Sequence, residues 1–203
     1  MRYIIMTTLL PDWLTRSAEN RPTHLALTDG RTRWSFAELD ARVTSCARRL
    51  ATIGVSEGSH VALLAGNSLD FVVIVHAMTR LRAVLVPLNT RLTRDELLWQ
   101  IGDVEATLLL CDNEQRARAA EIAQQGVRVQ LATFGPRSQN VVTDNEHDGR
   151  DMVALEDVVE SETCTLHSLI DLDATQAIMY TSGTTGTPKG ATITYGMQWW
   201  SAT

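Results

Sequence analysis

An α/β fold, with a mostly parallel sheet flanked by helices, is predicted by three features of the sequence. Short apolar runs of β-forming residues recur along the chain, and segments of helical periodicity separate them. Two of these helical segments open on a capping box, Ser35 with Glu38 and Thr93 with Glu96. The apolar runs are continuous rather than alternating. Such strands are buried on both faces, and strands interleaved with helices close into a parallel sheet.

Behind the Ser35 box, Leu39, Val43, Ala47 and Leu50 share one helical face, and Gly54 supplies the stop. "HVALLA" (His60 to Ala65) is a buried strand. Asn67 or Ser68 caps a second helix that runs to about Arg82, with Asp70 in its first turn and Arg80 and Arg82 in its last, as the helix dipole favours. This helix is apolar nearly all round and is expected to be buried. "AVLVPLN" (Ala83 to Asn89) is the next strand. The Thr93 box starts a helix that continues through about Val104, and "ATLLLC" (Ala106 to Cys111) is another strand. A helix around Glu114 to Gln125 and a strand near "VRVQLA" continue the alternation. Residues 134–150 carry turn formers and charge without periodicity and are expected to form a surface loop. "ALEDVVE" is expected to be a short helix, and "AIMYTS" (Ala177 to Ser182) a strand that runs directly into "GTTGTPKG".

The chain has 203 residues, 44% of them hydrophobic and 21% charged, enough apolar material for a packed core. A net charge of −6 offers no general attraction to polyanions, so nucleic acid is not an expected partner. Cys46, Cys111 and Cys164 are widely spaced and form no metal-ligand pattern with the five histidines, so buried thiols are expected and no metal site. Pro11 and Asp12 interrupt the apolar start, and no small-residue cleavage site follows, so no signal peptide is expected. "LDFVVIVHAM" is too short to span a bilayer. A cytoplasmic location is expected.

The stretch "YTSGTTGTPKG" (Tyr180 to Gly190) concentrates glycine, threonine and serine, and Lys189 is the single lysine among 18 basic residues. Glycines let a ligand approach the main chain closely. Ser182, Thr184, Thr185 and Thr187 add hydroxyl donors to the backbone N–H groups, a set suited to phosphate oxygens. Lysine differs from arginine as a compact point charge, and Pro188 stiffens the approach to it. The pattern is not a Walker loop, because Pro188 stands at the second glycine position and Gly190 follows the lysine. A plain glycine–threonine turn is the alternative that composition alone leaves open.

"AIMYTSGTTGTPKG" resembles the signature loop of the adenylate-forming (AMP-binding) superfamily, which includes acyl- and aryl-CoA ligases, luciferases and peptide-synthetase adenylation domains. "WSFAELD" (Trp34 to Asp40) and "RLRAVLVPLN" (Arg80 to Asn89) are similar to two upstream motifs of that superfamily. Within it, Thr194, Tyr195 and Gly196 after the loop are most similar to the Thr-Phe-Gly of the o-succinylbenzoate–CoA ligase family of menaquinone biosynthesis, although fatty-acyl and other aryl ligases share much of the pattern. The resemblance implies that residues 1–203 are an incomplete N-terminal AMP-binding (adenylation) domain, part of the large domain of an acyl-CoA synthetase-like enzyme. It implies the conversion of a carboxylate and Mg·ATP to an acyl-adenylate, followed by transfer of the acyl group to CoA. ATP, Mg²⁺ and CoA would be co-substrates. Thr181, Ser182, Gly183, Thr184, Thr185, Gly186, Thr187 and Lys189 would bind the ATP phosphates, with Lys189 as the catalytic electrostatic clamp.

The superfamily's adenine pocket, Mg²⁺-binding acid, ribose-binding Asp, hinge and C-terminal catalytic lysine lie downstream of this loop. The chain is therefore expected to be a fragment, inactive alone, with an exposed sheet edge and an apolar face that a missing part would cover. A non-enzymatic phosphate-binding or interaction module is the alternative. Trp199 and Trp200 are expected to be core aromatics whose partners are absent, His76 a packed core histidine, and the acids Asp151, Glu156, Asp157, Glu160 and Glu162 a solvated face.

Overall fold

The computed structural model describes residues 8–135, 152–181 and 188–202. The first half contains β1 (Leu9–Pro11), α1 (Trp13–Asn20), β2 (Leu25–Thr28), β3 (Arg33–Ser35), α2 (Phe36–Thr52), β4 (His60–Leu64), α3 (Leu69–Leu81) and β5 (Val84–Leu88). The second half contains α4 (Arg94–Asp103), β6 (Leu108–Asp112), α5 (Arg116–Gln124), β7 (Gln130–Phe134), β8 (Val153–Ala154), β9 (Leu169–Asp171), β10 (Thr175–Thr181), β11 (Lys189–Thr194) and α6 (Tyr195–Ser201). One sheet has the order β11-β10-β5-β4-β6-β7-β8. Every neighbouring pair in it is parallel except β10 with β11.

The continuous apolar strands serve two cores. Val61 and Leu63 of β4 and Leu108 and Leu110 of β6 face α2 and α3, together with Val43, Leu50, Ile74 and Met78. Their neighbours Ala62, Leu64, Leu109 and Cys111 face Leu97 and Ile101 of α4 and Ile122 of α5. Alternate residues of a strand point to opposite faces, so a strand covered on both sides needs an apolar residue at every position.

Helix starts follow the sequence signals. Both capping boxes form: Glu38 N–H donates to Ser35 Oγ at 3.3 Å while Ser35 N–H donates to Glu38 Oε2 at 2.7 Å, and Thr93 with Glu96 repeats the pattern. Ser68, rather than Asn67, caps α3 by accepting from Phe71 N–H at 3.0 Å. Gly54 closes α2 at φ 96. The ends of α3 and α4 use the same left-handed position without glycine, at Arg82 (φ 52) and Glu105 (φ 50).

Two expectations are corrected. "ALEDVVE" is not a helix: Val153–Ala154 pairs with β7, and a single 3₁₀ turn covers Leu155–Asp157 before the chain extends. The extended segment lies along α2, where Val159 O accepts from Thr52 Oγ1 at 2.7 Å and Ser161 N–H donates to Arg48 O at 3.3 Å. Tertiary bonds and the β-branched Val158 and Val159 outweigh a weak local helix signal. The acidic run is a solvated face only in part: Glu156, Asp157 and Glu162 are exposed, but Glu160 is half-buried, accepts from Ser45 Oγ at 2.5 Å and lies 3.8 Å from Arg49. Glu156 accepts from Gly135 N–H at 2.6 Å, and Asp151 lies outside the described residues. Phe134, placed in the expected surface loop, is buried as the last residue of β7, and residues 136–150 of that loop lie outside the described residues.

Arg80 is the hub of the helical side. Its guanidinium is buried, and its N–H groups donate to Asp12 Oδ2, Asp40 O, Asp40 Oδ1, Thr44 Oγ1 and Thr15 Oγ1 at 2.5–3.1 Å, which accounts for all of its donors. Asp12 also caps α1, accepting from Leu14 N–H and Thr15 Oγ1. Thus α1, α2 and α3 meet at one side chain. Arg80→Met is expected to destabilise the chain by about 3–5 kcal/mol, because it leaves Asp12 buried without its cation. Arg80→Lys retains the charge but not the fork and should fall between that variant and the parent. Urea unfolding midpoints check both.

Candidate functional site

The glycine–threonine stretch closes the β10–β11 hairpin. Thr181 and Lys189 are Cα partners at its mouth, with Tyr180 opposite Gly190 and Met179 opposite Ala191 one and two steps back. Directly opposed residues of an antiparallel pair project from the same face. Thr181, Lys189, Met179 and Ala191 therefore share one face, and Tyr180 and Ile178 project from the other. On the first face Thr181 and Lys189 are exposed, as is Met179 at 50%. On the second face, Ile178 and Tyr180 pack against the core beneath α4.

Of the residues predicted to bind phosphate, the structure brings together Thr181 and Lys189. Ser182, Gly183, Thr184, Thr185, Gly186 and Thr187 lie outside the described residues. Sequence reasoning missed the contacts of Tyr180, the neighbour of Thr181. The Tyr180 phenol donates to Asp103 Oδ2 at 2.5 Å, and its ring meets Trp99 edge-on at 5.7 Å. Burial, then the hydrogen bond and charge of Asp103, raises the Tyr180 pKa above its ordinary value, so the hydroxyl stays a donor. The one local sign of this contact is an acid, Asp103, at a helix C-terminus where the dipole favours a base. A cleft of about 260 Å³ lies here, lined by His60, Asp103, Ile178, Tyr180, Gly190 and Thr192 among others.

Downstream, Thr194 caps α6 by accepting from Met197 N–H at 3.2 Å. A Cβ on Gly196 would lie 2.8 Å from Leu172 O, the same oxygen that accepts Gly196 N–H at 2.7 Å. This close approach is the physical demand behind the glycine of Thr194-Tyr195-Gly196. Tyr195 is buried, and Trp199 stacks on Trp13 with ring centroids 5.8 Å apart, so Trp199 has a core partner within the chain. Trp200 is 73% exposed.

Among the described residues, the other groups do not assemble into a second site. A cleft of about 410 Å³ is lined by Arg42, Arg49, Asp70 and Phe134 among others, but Arg42 lies over the Trp34 ring at 4.2 Å and Arg49 lies near Glu160. Burial pushes the Cys46 and Cys111 thiols up to about 12, so they stay protonated packing groups, while Cys164 is half-buried. His76 is half-buried, with its pKa lowered chiefly by desolvation, consistent with a neutral packed ring. Among the described residues, no helix is long and apolar enough to cross a membrane.

Gly190 carries a specific steric demand. A Cβ there would lie 2.9 Å from Ile178 Cγ2 and 3.4 Å from the Tyr180 ring. Gly190→Ala is expected to lower unfolding free energy by about 1–3 kcal/mol through overpacking. Gly102→Ala, where a Cβ meets open space inside α4, should instead raise it by roughly 0.5–1 kcal/mol. Paired chemical-denaturation curves check the opposite signs.

Comparison with known proteins gives the family. The AMP-binding enzyme family profile matches residues 14–203. A 2-succinylbenzoate–CoA ligase of Geobacillus kaustophilus is 40% identical over 197 residues, which are 96% of this chain and 35% of that protein. The Bacillus cereus protein of the same description is 32% identical over 201 residues, 97% of this chain and 35% of the relative. Among solved structures, o-succinylbenzoate coenzyme A synthetase from Bacillus subtilis in complex with AMP superposes with a TM-score of 0.77 at 29% identity, covering 96% of this chain and 45% of that one. The same enzyme in complex with ATP and magnesium ion gives 0.76 at 27% identity, with 96% and 46% covered. The chain spans about a third of the length of the curated relatives it matches. With its sheet, its hairpin and the matched residues in agreement, this chain belongs to the AMP-binding enzyme family.

Proposed function

We propose that this chain supplies the phosphate-binding part of an incomplete N-terminal adenylation domain, within an acid–CoA ligase whose carboxylate is o-succinylbenzoate. The observation that carries the reading is the hairpin pairing of Thr181 with Lys189, which brings an ammonium and a hydroxyl to one exposed face at the two ends of the glycine–threonine loop. Likeness to 2-succinylbenzoate–CoA ligases along nearly the whole chain supports the choice of carboxylate.

In the reaction, a carboxylate oxygen attacks the α-phosphorus of ATP, the bond to the bridging oxygen breaks, and pyrophosphate leaves. CoA sulfur then displaces AMP from the acyl-adenylate. Negative charge grows on the departing pyrophosphate, and pre-oriented N–H, O–H and ammonium donors stabilise that charge. Lys189 meets it as a point charge. Thr181 and the loop hydroxyls of Ser182, Thr184, Thr185 and Thr187 bind the β- and γ-phosphates, and Gly183 and Gly186 give backbone access. Magnesium supplies further charge neutralisation when bound with ATP, and by family resemblance its acid ligand lies downstream of Thr203. The partners are thus a small carboxylate, ATP and CoA, in the cytoplasm.

In the ligase that carries this segment, Lys189→Ala is expected to lower ATP–pyrophosphate exchange by about 10²–10³-fold, the loss typical of removing one charge-stabilising donor, with the circular dichroism spectrum preserved. Unchanged exchange would contradict the clamp. Parallel assays with o-succinylbenzoate and medium-chain fatty acids test the substrate, and preference for a fatty acid would contradict the choice made here.

A further inference from the structure

β10 lies between β5 and β11 in the sheet. Among the described residues its ladder with β5 consists of the pair Ala177↔Leu85, and its other neighbour, β11, is the exposed edge. The last residues of the strand before the loop are held from α4 as well. Tyr180 Oη donates to Asp103 Oδ2, and the Tyr180 ring rests against Trp99. Gly190 across the ladder leaves room for that ring. Asp103 sits at the C-terminus of α4 against the preference of the helix dipole, a placement that helix stability does not explain but a phenol donor does.

We propose that Tyr180 and Asp103 form a positioning brace that ties the mouth of the phosphate loop to α4 and fixes how Thr181 and Lys189 are presented. The proposal rests on the clamp reading above. Tyr180 and Thr181 are consecutive in a strand and project from opposite faces, so holding the phenol from beneath fixes the rotation of the strand end from which Thr181 and the loop depart. Orientation of this kind acts on the transition state more than on substrate binding. Tyr180 is accordingly a positioning residue and makes no contact of its own with the reacting atoms.

The test uses ATP–pyrophosphate exchange by the ligase that carries this segment. Tyr180→Phe keeps the ring on Trp99 and removes the hydroxyl. Its kcat is expected to fall about tenfold through lost orientation at the loop mouth, while KM for the carboxylate stays unchanged and the thermal midpoint drops only by the small amount of one partly exposed hydrogen bond. Asp103→Ala should match it, the double variant should be no worse than either single, and Asp103→Asn, which still accepts the bond, should recover most of the rate. Parent-like kcat in Tyr180→Phe, additive losses in the double variant, or a fall in midpoint that parallels the rate would each overturn the brace. If Lys189→Ala still lowers exchange as expected in that case, the clamp reading survives without it. Full exchange in both Lys189→Ala and Tyr180→Phe would overturn the clamp, and the brace with it.

Discussion

A single buried guanidinium organises the side of the molecule from which the hairpin emerges. Arg80 has a donor for each acceptor that α1 and α2 present to it, and no other side chain offers five donors in a fixed planar fork. Asp12, one of those acceptors, also receives α1 and binds Ser168 O through its own N–H at 2.8 Å, just before β9. The next residue, Trp13, carries the aromatic stack on Trp199 and the edge contact to Tyr195 in α6. Arg80 is thereby linked to the helix that directly follows β11. Charge burial is costly unless every partner is present, so this junction has one satisfied arrangement and strongly disfavours partial ones.

The hairpin is the more open part of the fold. Its inner face is packed under α4, whereas its outer face carries Met179, Thr181 and Lys189 in the open. Edge strands with exposed apolar residues are usually covered by another element. The curated relatives continue for roughly twice this length again, and the exposed edge and face are where a longer chain has surface to cover. The proposed phosphate loop would need one accessible side and one supported side, and the strand ends that flank it have α4 on one face and open solvent on the other.

Local chemistry made much of this readable from the sequence. The two capping boxes, the apolar strands β4 to β6 and the glycine stop after α2 are decided within a few residues, and each formed where its residues stand, whereas β7 starts only at Gln130 and runs on through Phe134. Features that depend on distant partners were not readable. Strands β1 and β9 are three residues each and exist because they pair with one another. Arg82 and Glu105 close helices in a conformation that glycine normally marks. In the site, Lys189 stood out as the chain's one lysine, but Tyr180 and Asp103 are 77 residues apart and no spacing rule joins them.

The same lone lysine permits a direct measurement on the chain itself. Reductive methylation with ¹³C-formaldehyde labels the Lys189 amine and the chain's α-amino group, and dimethylation preserves the positive charge. Titration with pyrophosphate is predicted to move the Lys189 signal saturably, with the α-amino signal as the internal control. A Lys189 signal that stays still, or that moves no more than the control, would contradict the central claim that this hairpin presents its lysine to phosphate.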